Sequence, residues 1–456
     1  MANTKYNQEE ILNGNLVKAI FSLTIPVIIN SFLQTMYNLT DTFWLGKLGT
    51  NELAAINLVT PMQNIVLNFG AGITVAGSVL ISQYIGARKD EDARSMANQI
   101  FACAMIFSFV CAGILCLAAP FIVTWLGADG LTYSYARTYL QVVILDMPFL
   151  YIVNMYVSIH QAQGDTVKPM FMNLGGILIN MLLDPVLMIY LNLGVLGAAL
   201  ATVLAKAVPA VIAFVMLNNR NQDIFLDLRH LKFEKEKVMD IIKVGLPSAI
   251  GGSTTQFGFL LMSKNVFKYG SCAMAAYGIG NKVNGLITLP SNGIGSTVSI
   301  IVGQNFGAKQ IDRAKRGFFM AMWMSVIFLF TGGMILSRPA ISTAVVSIFS
   351  DDAEVIMMAA DFLSIMAFWC FTNGVYNATT GLYRGCGHTT INMIVDISRL
   401  WVFRFGTLFF LESVLNMGVR SVWYSVVVSN GIAALIHFVA YFTGFWKKNR
   451  LSDIGE

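Results

Sequence analysis

Apolar residues in this chain are gathered into twelve long runs, and short polar segments separate one run from the next. A helix needs about 20 mostly apolar residues to cross a bilayer, and each run is close to that length or longer. We therefore predict twelve transmembrane helices, at residues 17–45, 53–85, 96–117, 135–160, 170–190, 195–217, 238–262, 273–306, 318–336, 356–383, 391–411 and 422–446.

Composition supports a polytopic membrane protein. Hydrophobic residues make up 56% of the 456 residues and charged residues only 12%, against about 25% charged in soluble domains. The net charge of +5 comes from basic residues scattered through the short loops. This distribution fits membrane orientation better than nucleic-acid binding, so no nucleic-acid partner is expected.

The loop charges predict the orientation of the chain. If the N-terminus is cytoplasmic, the inner segments hold twenty Lys and Arg residues and the outer segments hold six. Because cytoplasmic loops carry the excess of positive charge, we expect both termini to lie in the cytoplasm and the protein to lie in the cell membrane.

The longest polar loop, residues 218–237, divides the chain into an N-lobe (1–217) and a C-lobe (238–456) of six spans each. The halves resemble each other at a constant offset of 221 residues, which pairs Pro26 with Pro247, Gln83 with Gln304 and Gly86-Ala87 with Gly307-Ala308. An even number of spans per repeat implies a pseudo-two-fold axis along the membrane normal. Such repeats are typical of alternating-access transporters.

Asp41 and Asp184 are acidic residues inside apolar runs, where a charge is costly and usually has a function. Asp184 follows Asn180 by four residues, so the two share one helix face. At a rise of about 1.5 Å per residue, Asp184, Asp41 and Thr202 all lie roughly 8 to 12 Å from the outer ends of their spans. We predict one pocket whose oxygen ligands suit a proton or Na⁺.

Other intramembrane residues allow more than one interpretation. Pro26 and Pro247 each remove a helix hydrogen bond, so each marks either a fixed kink or a hinge whose angle changes during transport. The C-terminal half lacks the acidic pair. Its Asp396 and Arg399 have i, i+3 spacing, which favours an internal ion pair over a second coupling site.

Six sequence segments together resemble the MATE (multidrug and toxic compound extrusion) family over essentially the whole chain. They are NLTDTFWLG (38–46), QYIGARKDEDAR (83–94), QAQGDTVKP (161–169), INMLLDP (179–185), LGVLGAALAT (193–202) and GQNFGAK (303–309). The pattern is similar to the DinF-like branch of that family.

The resemblance implies a secondary antiporter that exports amphipathic, often cationic organic compounds in exchange for H⁺ or Na⁺, with no cofactor. It assigns the coupling ion to Asp41, Asn180, Asp184 and Thr202, which are also the expected ligands of Na⁺. Further cavity residues are expected to bind substrate, namely Tyr139, Asn154, Tyr37 and Gln34. A monomer in contact with membrane lipid is expected.

Two other functions remain open. A flippase for a lipid-linked sugar would use basic residues in the cavity, and only Lys206, Lys282, Arg399 and Arg404 could serve there. An intramembrane enzyme would need a nucleophile, a metal or an acid/base set. The sequence contains no HExxH, GxSxG or paired histidines, so we expect a transporter and not an enzyme.

Overall fold

The computed structural model describes residues 2–228 and 231–448, with side chains throughout these ranges except at 2–7, 42, 50, 51, 53, 61, 65 and 66. Arg229 and Arg450, which were counted among the inner charges, lie outside the described residues. Within them the regular elements are all helices: α1 (Ala2–Asn13), α2 (Leu16–Leu48), α3 (Thr50–Gly86), α4 (Asp90–Trp125), α5 (Gly130–Val143), α6 (Met147–Ala162), α7 (Val167–Pro185), α8 (Gly194–Leu217), α9 (Lys235–Phe267), α10 (Ser271–Gly307), α11 (Ile311–Leu336), α12 (Pro339–Val346), α13 (Ala353–Phe368), α14 (Phe371–Gly385), α15 (Thr389–Ile397), α16 (Phe405–Ser413) and α17 (Arg420–Phe442).

Short irregular helices join some of these elements. The 3₁₀ turn Ile144–Asp146 connects α5 to α6, and a second 3₁₀ turn, Phe445–Lys447, follows α17. The π-helical segments Val186–Tyr190 and Ser398–Arg404 extend α7 and join α15 to α16. A π turn holds an extra residue and is frequent at functional sites.

The prediction of an all-α polytopic membrane protein is confirmed. Each of the twelve predicted spans coincides with one helix or with consecutive helices of the described chain, and short turns at 369–370 and 443–444 interrupt the spans 356–383 and 422–446. Nine of those segments are long and apolar enough to cross a bilayer on their own. A tenth span consists of α13 and α14, which meet at a bend of 53°. The other two predicted spans correspond to α9 and to the α15–α16 segment with its π turn.

The chain folds as two compact units. The first contains residues 1–10 and 25–249, and the second contains 11–24 and 250–456. Their boundaries fall inside helices, between Thr24 and Ile25 in α2 and between Ala249 and Ile250 in α9. Pro26 and Pro247 therefore lie within three residues of the two boundaries.

The polar loop 218–237 is anchored to helix α4 of the first unit. The Arg94 Nε donates to the Asp223 carbonyl at 2.8 Å, and the Asn98 side chain accepts the Asp227 N–H at 2.9 Å. Lys237, whose side chain is only 4% exposed, forms ion pairs with Asp92 and Glu234. The described parts of the loop are thus held against α4.

Glycines allow close backbone contact between α10 and α14 in the second unit. A Cβ at Gly295 would lie 2.8 Å from the Asn377 carbonyl oxygen, and one at Gly385 would lie 2.8 Å from the Ser299 carbonyl oxygen. Small residues of this kind are how membrane helices approach each other closely, because no hydrophobic force drives helix association in lipid.

The two repeats share a turn with the same backbone geometry. After α3 the chain passes through Ala87 and Arg88, and Arg88 has a φ of 58°. After α10 it passes through Ala308 and Lys309, and Lys309 has a φ of 59°. Non-glycine residues seldom adopt positive φ. The equivalent left-handed residues therefore confirm that the offset of 221 residues reflects a structural repeat.

Candidate functional site

The first unit encloses a cavity of about 310 Å³ between helices α2, α6, α7 and α8. We call it the inner cavity. Its lining combines amides, one hydroxyl pair and apolar side chains with a single charged group, and consists of Asn30, Gln34, Tyr37, Leu150, Val153, Asn154, Val157, Met172, Asn173, Gly176, Ile177, Asn180, Thr202, Ala205, Lys206 and Pro209. A mixed lining of this type suits an amphipathic molecule.

Asp184 lies in the last turn of α7 and is fully buried. Within the described residues, neither of its carboxylate oxygens makes a hydrogen bond of normal geometry. The carboxylate interacts electrostatically with Asp41 of α2, and the Asn180 amide lies beside it without a properly formed hydrogen bond. The structure thus brings the two predicted acids and the predicted amide into one cluster.

The other predicted polar residues surround this cluster. The Thr202 hydroxyl donates to the Ala198 carbonyl at 3.1 Å, and the Tyr37 hydroxyl lies next to Thr202. Tyr139 is 7% exposed and interacts with Asp41 and Tyr37. It does not line the inner cavity, so its position is beside the acids.

Three predicted substrate-binding residues line the inner cavity, namely Gln34, Tyr37 and Asn154. Gln34 and Tyr37 lie on one face of α2 together with Asn30, because residues three or four apart share a helix face. Asn30 accepts a hydrogen bond from Asn173 of α7 at 3.0 Å. This bond joins two walls of the cavity.

An ion pair between Asp146 and Lys206 was missed by the sequence analysis. Asp146 belongs to the 3₁₀ turn between α5 and α6 and is 1% exposed, and its carboxylate accepts a hydrogen bond from the Lys206 ammonium. Lys206 lines the inner cavity and also interacts with Asp41. The sequence did contain a signal for this pair. Asp146 and Lys206 have opposite charges and each lies inside an apolar run, where charged residues usually pair.

The cluster has an excess of negative charge in its ionised form. Among the side chains that the structure describes, Asp41, Asp146 and Asp184 face one ammonium, that of Lys206. Burying unneutralised carboxylates in a low-dielectric region is expensive, so a bound cation would stabilise the site. Asp41, Asn180, Asp184 and Thr202 supply carboxylate, amide and hydroxyl oxygens, a donor set that fits Na⁺ as well as a proton.

The described residues contain no group of three or more His, Cys, Asp or Glu side chains placed to hold a metal ion.

Asp396, Arg399 and Arg404 of the second unit have polar partners within that unit. The expected Asp396–Arg399 ion pair is present at 3.2 Å, and Tyr376 also donates to Asp396. Arg404 donates to Ser429 at 3.0 Å and to Asn430 at 2.9 Å. These contacts favour a structural role for the charges around the Ser398–Arg404 π segment.

Both predicted hinge residues lie inside continuous helices. Pro26 is a buried residue of α2, and Pro247 is a half-buried residue of α9. Proline has no N–H, so each leaves one carbonyl of the preceding turn without its usual helix partner. The two positions are equivalent in the repeat.

Comparison with known proteins gives one consistent result. The family model described as MatE matches residues 26–186 and again residues 247–409, which are the two repeats. The probable multidrug resistance protein YoeA of Bacillus subtilis is 24% identical over 438 residues, which cover 94% of each chain. The multidrug export protein MepA of Staphylococcus haemolyticus is 24% identical over 440 residues, covering 96% of this chain and 95% of MepA.

Solved structures show the same fold. A crystal structure of MATE in complex with MaL6 superimposes with a TM-score of 0.89 and covers 98% of both chains at 24% sequence identity. At this identity the likeness concerns the arrangement of the backbone.

Proposed function

Because the chain belongs to the MatE family of membrane transporters, we propose that it exports amphipathic, often cationic organic compounds in exchange for H⁺ or Na⁺. The protein is a transporter and not an enzyme. One observation carries the proposal: Asp184 is fully buried, its carboxylate oxygens make no normal hydrogen bond to any residue that the structure describes, and it interacts with Asp41 beside the inner cavity.

The coupling ion neutralises the acidic pair. Two carboxylates close together in a low-dielectric region repel each other and are poorly solvated, so H⁺ or Na⁺ binding to Asp41 and Asp184 is favourable. An ion that binds one conformation more tightly than another shifts the equilibrium between them by that difference in affinity. Entry of the ion from outside then favours the conformation that releases the organic compound.

The Asp146–Lys206 pair adjoins the coupling site, since Lys206 also interacts with Asp41. Lys206 neutralises Asp146 directly, which leaves Asp41 and Asp184 as the acids available to a mobile cation. In this arrangement the polar side chains of Asn154, Tyr37 and Gln34 in the inner cavity bind the substrate.

The conformational change is assigned to hinges at Pro26 and Pro247. Each proline lies within three residues of a boundary between the compact units. A missing helix hydrogen bond at these points lowers the cost of bending α2 and α9. Equivalent positions in the two repeats support equivalent roles.

We assign the protein to the cell membrane as a monomer in contact with lipid, with both termini in the cytoplasm. The inner segments hold twenty basic residues and the outer segments hold six, and this difference supports the orientation. The same orientation places Asp41 and Asp184 in the outer half of the bilayer.

Efflux from proteoliposomes tests the function. A fluorescent organic cation is loaded, and its export is measured under an imposed pH gradient or an imposed Na⁺ gradient, each alone. We expect one gradient to drive export, and we expect Asp41→Asn or Asp184→Asn to reduce it to the rate without a gradient.

The matched control is Asp361→Asn, which removes a carboxylate that pairs with Arg420 in the second unit, 2.9 Å away. This variant should export at the rate of the unsubstituted chain. Gradient-driven export that is unchanged in Asp41→Asn would rule out the coupling assignment, and stimulation by a lipid-linked sugar without any drug export would favour the flippase.

A further inference from the structure

A second cavity of the first unit lies at the ends of helices that also line the inner cavity. It measures about 450 Å³ and is bordered by one carboxylate and several neutral polar groups among apolar side chains, namely Leu48, Glu52, Ser134, Tyr135, Thr138, Met188, Asn192, Leu193, Gly194, Val195 and Leu196. These residues surround segments predicted to face the outside. We call this cavity the outer vestibule.

Helix α7 and its π-helical extension connect the two cavities along one face. Gly176 and Asn180 line the inner cavity, and Met188 lines the outer vestibule. Asp184 lies between Asn180 and Met188 at the same four-residue spacing, so each residue of the series lies about one turn from the next.

Helices α2 and α8 repeat this order. On α2, Tyr37 lines the inner cavity, Asp41 follows one turn later, and Leu48 lines the outer vestibule. On α8, Leu196 lines the vestibule and Thr202 lines the inner cavity. Helices α2 and α7 therefore place the acidic pair between the two cavities, and α8 runs from one cavity to the other beside them.

The partition between the outer vestibule and the acids is thin. Asp184 and Met188 are four residues apart, a rise of roughly 6 Å along the helix. Met188 is 1% exposed, and Tyr139, the neighbour of the vestibule residue Thr138, is 7% exposed and interacts with Asp41. Met188 is an unbranched and adaptable side chain that can change rotamer within a packed region.

We propose that the outer vestibule is the route by which the coupling cation reaches Asp184 from outside, separate from the inner cavity that holds the organic substrate. The inference rests on the proposed function, because it presupposes cation coupling at Asp41 and Asp184. The vestibule ligand is a hydrated monovalent cation. The Glu52 carboxylate raises its local concentration, and the Met188 side chain closes the passage to the acids.

This route gives the cation and the substrate separate entrances to one coupled site. The cation and the organic substrate approach the acids from opposite sides, so neither has to displace the other along a shared path. The vestibule polar groups, such as Ser134 and Asn192, replace part of the hydration shell of the cation before it passes Met188.

Thiol modification of the vestibule tests the proposal. Thr138→Cys places a thiol in the vestibule, and the matched Thr132→Cys lies on the same helix but lines neither cavity. Each variant is reconstituted as the full chain and treated from outside with a bulky, membrane-impermeant methanethiosulfonate. The unsubstituted chain with its six native cysteines is treated in the same way and sets the baseline.

We expect modified Thr138→Cys to lose gradient-driven efflux while its equilibrium binding of the fluorescent organic cation stays unchanged. A reductant that removes the adduct should restore transport, and modified Thr132→Cys should transport normally. Failure of the thiol at 138 to react from outside, or full transport after it has reacted, would overturn the route. Loss of substrate binding upon modification would overturn the separation of the two entrances.

Neutralising the vestibule carboxylate provides an independent measurement. Glu52→Gln should raise the half-saturating cation concentration roughly two- to fourfold. This is the factor expected for the loss of one charge about 10 Å away at a dielectric constant of about 40 to 80. Glu52→Asp keeps the charge and should leave that concentration unchanged. The difference should shrink at high ionic strength, because salt screens the charge. An unchanged concentration dependence would contradict the role of Glu52.

The two proposals fail in distinguishable ways. If the unmodified chain shows no gradient-driven export, cation coupling itself is wrong. If a gradient drives export equally well by the unmodified chain and by the modified Thr138→Cys variant, cation coupling stands and only the vestibule route is wrong.

Discussion

The Asp146–Lys206 ion pair shows how a lysine is accommodated in the apolar helix α8. Asp146 is almost completely buried, and the Lys206 side chain is 26% exposed toward the inner cavity. Removing one partner of such a pair leaves a buried charge without compensation, whereas removing both is often tolerated.

We therefore predict that Lys206→Met destabilises the protein by about 3 kcal/mol, the lower end of the range for broken buried pairs. The double variant Asp146→Asn with Lys206→Met should recover most of the loss. Thermal unfolding in detergent, compared across the single and double variants, provides the measurement. A double variant as unstable as the single one would contradict this account of the pair.

Residue-scale prediction from the sequence succeeded where the signal is local. The four-residue spacing of Asn180 and Asp184 predicts a shared face, and the structure places both in one cluster with Asp41. Asp146 and Lys206 are 60 residues apart, and only the packing of α8 against the α5–α6 turn brings them together. Periodicity within one helix contains no information about that contact.

At the scale of elements, the contact between α10 and α14 depends on glycine. An alanine in a helix interior gains about 0.5 to 1 kcal/mol over glycine in the absence of contacts. A methyl group forced against a backbone carbonyl costs about 1 to 3 kcal/mol, so the clash outweighs the gain.

Gly295→Ala should therefore lower the unfolding temperature of the protein in detergent. The matched control is Gly285→Ala on the same helix, where an added Cβ meets nothing within 4 Å. That variant should be neutral or slightly stabilised. Equal unfolding temperatures for the two variants would show that α14 moves aside at little cost.

The loop anchored to α4 has a pH-sensitive contact outside the membrane. Burial alone would raise the pKa of the Glu234 carboxyl, but hydrogen bonds from Ser95, at 2.7 Å, and from Lys237 outweigh burial and leave the pKa below its ordinary value of 4.5. A lowered pKa in the folded state stabilises the contact above pH 4.5, and this contribution is lost as the pH falls through the lowered pKa.

Hydrogen exchange protection of residues 222–228 should accordingly decrease below pH 4.5 in the unsubstituted chain. In Glu234→Gln the ionisable group is absent, so the protection should be weaker at neutral pH and should change less with acidification. A steep loss of protection that persists in Glu234→Gln would assign the pH dependence to another group.

The π-helical segments set a limit on prediction at this scale. Hydropathy identified the spans that contain Val186–Tyr190 and Ser398–Arg404 but not the extra residue in each turn. A π turn differs from an α turn in which carbonyl accepts each N–H hydrogen bond. A hydropathy profile records only the side chains, so it cannot distinguish the two kinds of turn. The position of Met188 relative to Asp184 therefore required the structure.

At the scale of the whole molecule, the sequence predicts the helical class and all twelve spans because lipid permits few alternatives for the backbone. Two of the predicted spans are less regular than the others. The uncharged stretch 244–263 of α9 contains several Gly, Ser and Thr residues, which lower its hydropathy, and a π segment divides the span 391–411 into two nine-residue helices.

The predicted orientation is tested by protease access to the loop 218–237. Because positive charge favours the cytoplasmic side, cleavage in this loop should occur in inside-out vesicles and not in right-side-out vesicles. An inserted protease site between α16 and α17, after Leu415, should show the opposite pattern. Cleavage of the 218–237 loop from the outer face would invert the topology and, with it, the side from which the cation enters.

The paired turns at Arg88 and Lys309 carry a consequence for the ancestry of the chain. Each joins two long helices through the same number of residues, with an Ala N–H bonded to a Gln carbonyl four residues earlier, at 2.9 Å in one copy and 3.0 Å in the other. Neighbouring side chains have diverged, yet the backbone path has not. We therefore expect the two turns to be interchangeable. A variant in which residues 304–310 replace residues 83–89 should fold, as expected if the two halves of the chain arose by gene duplication.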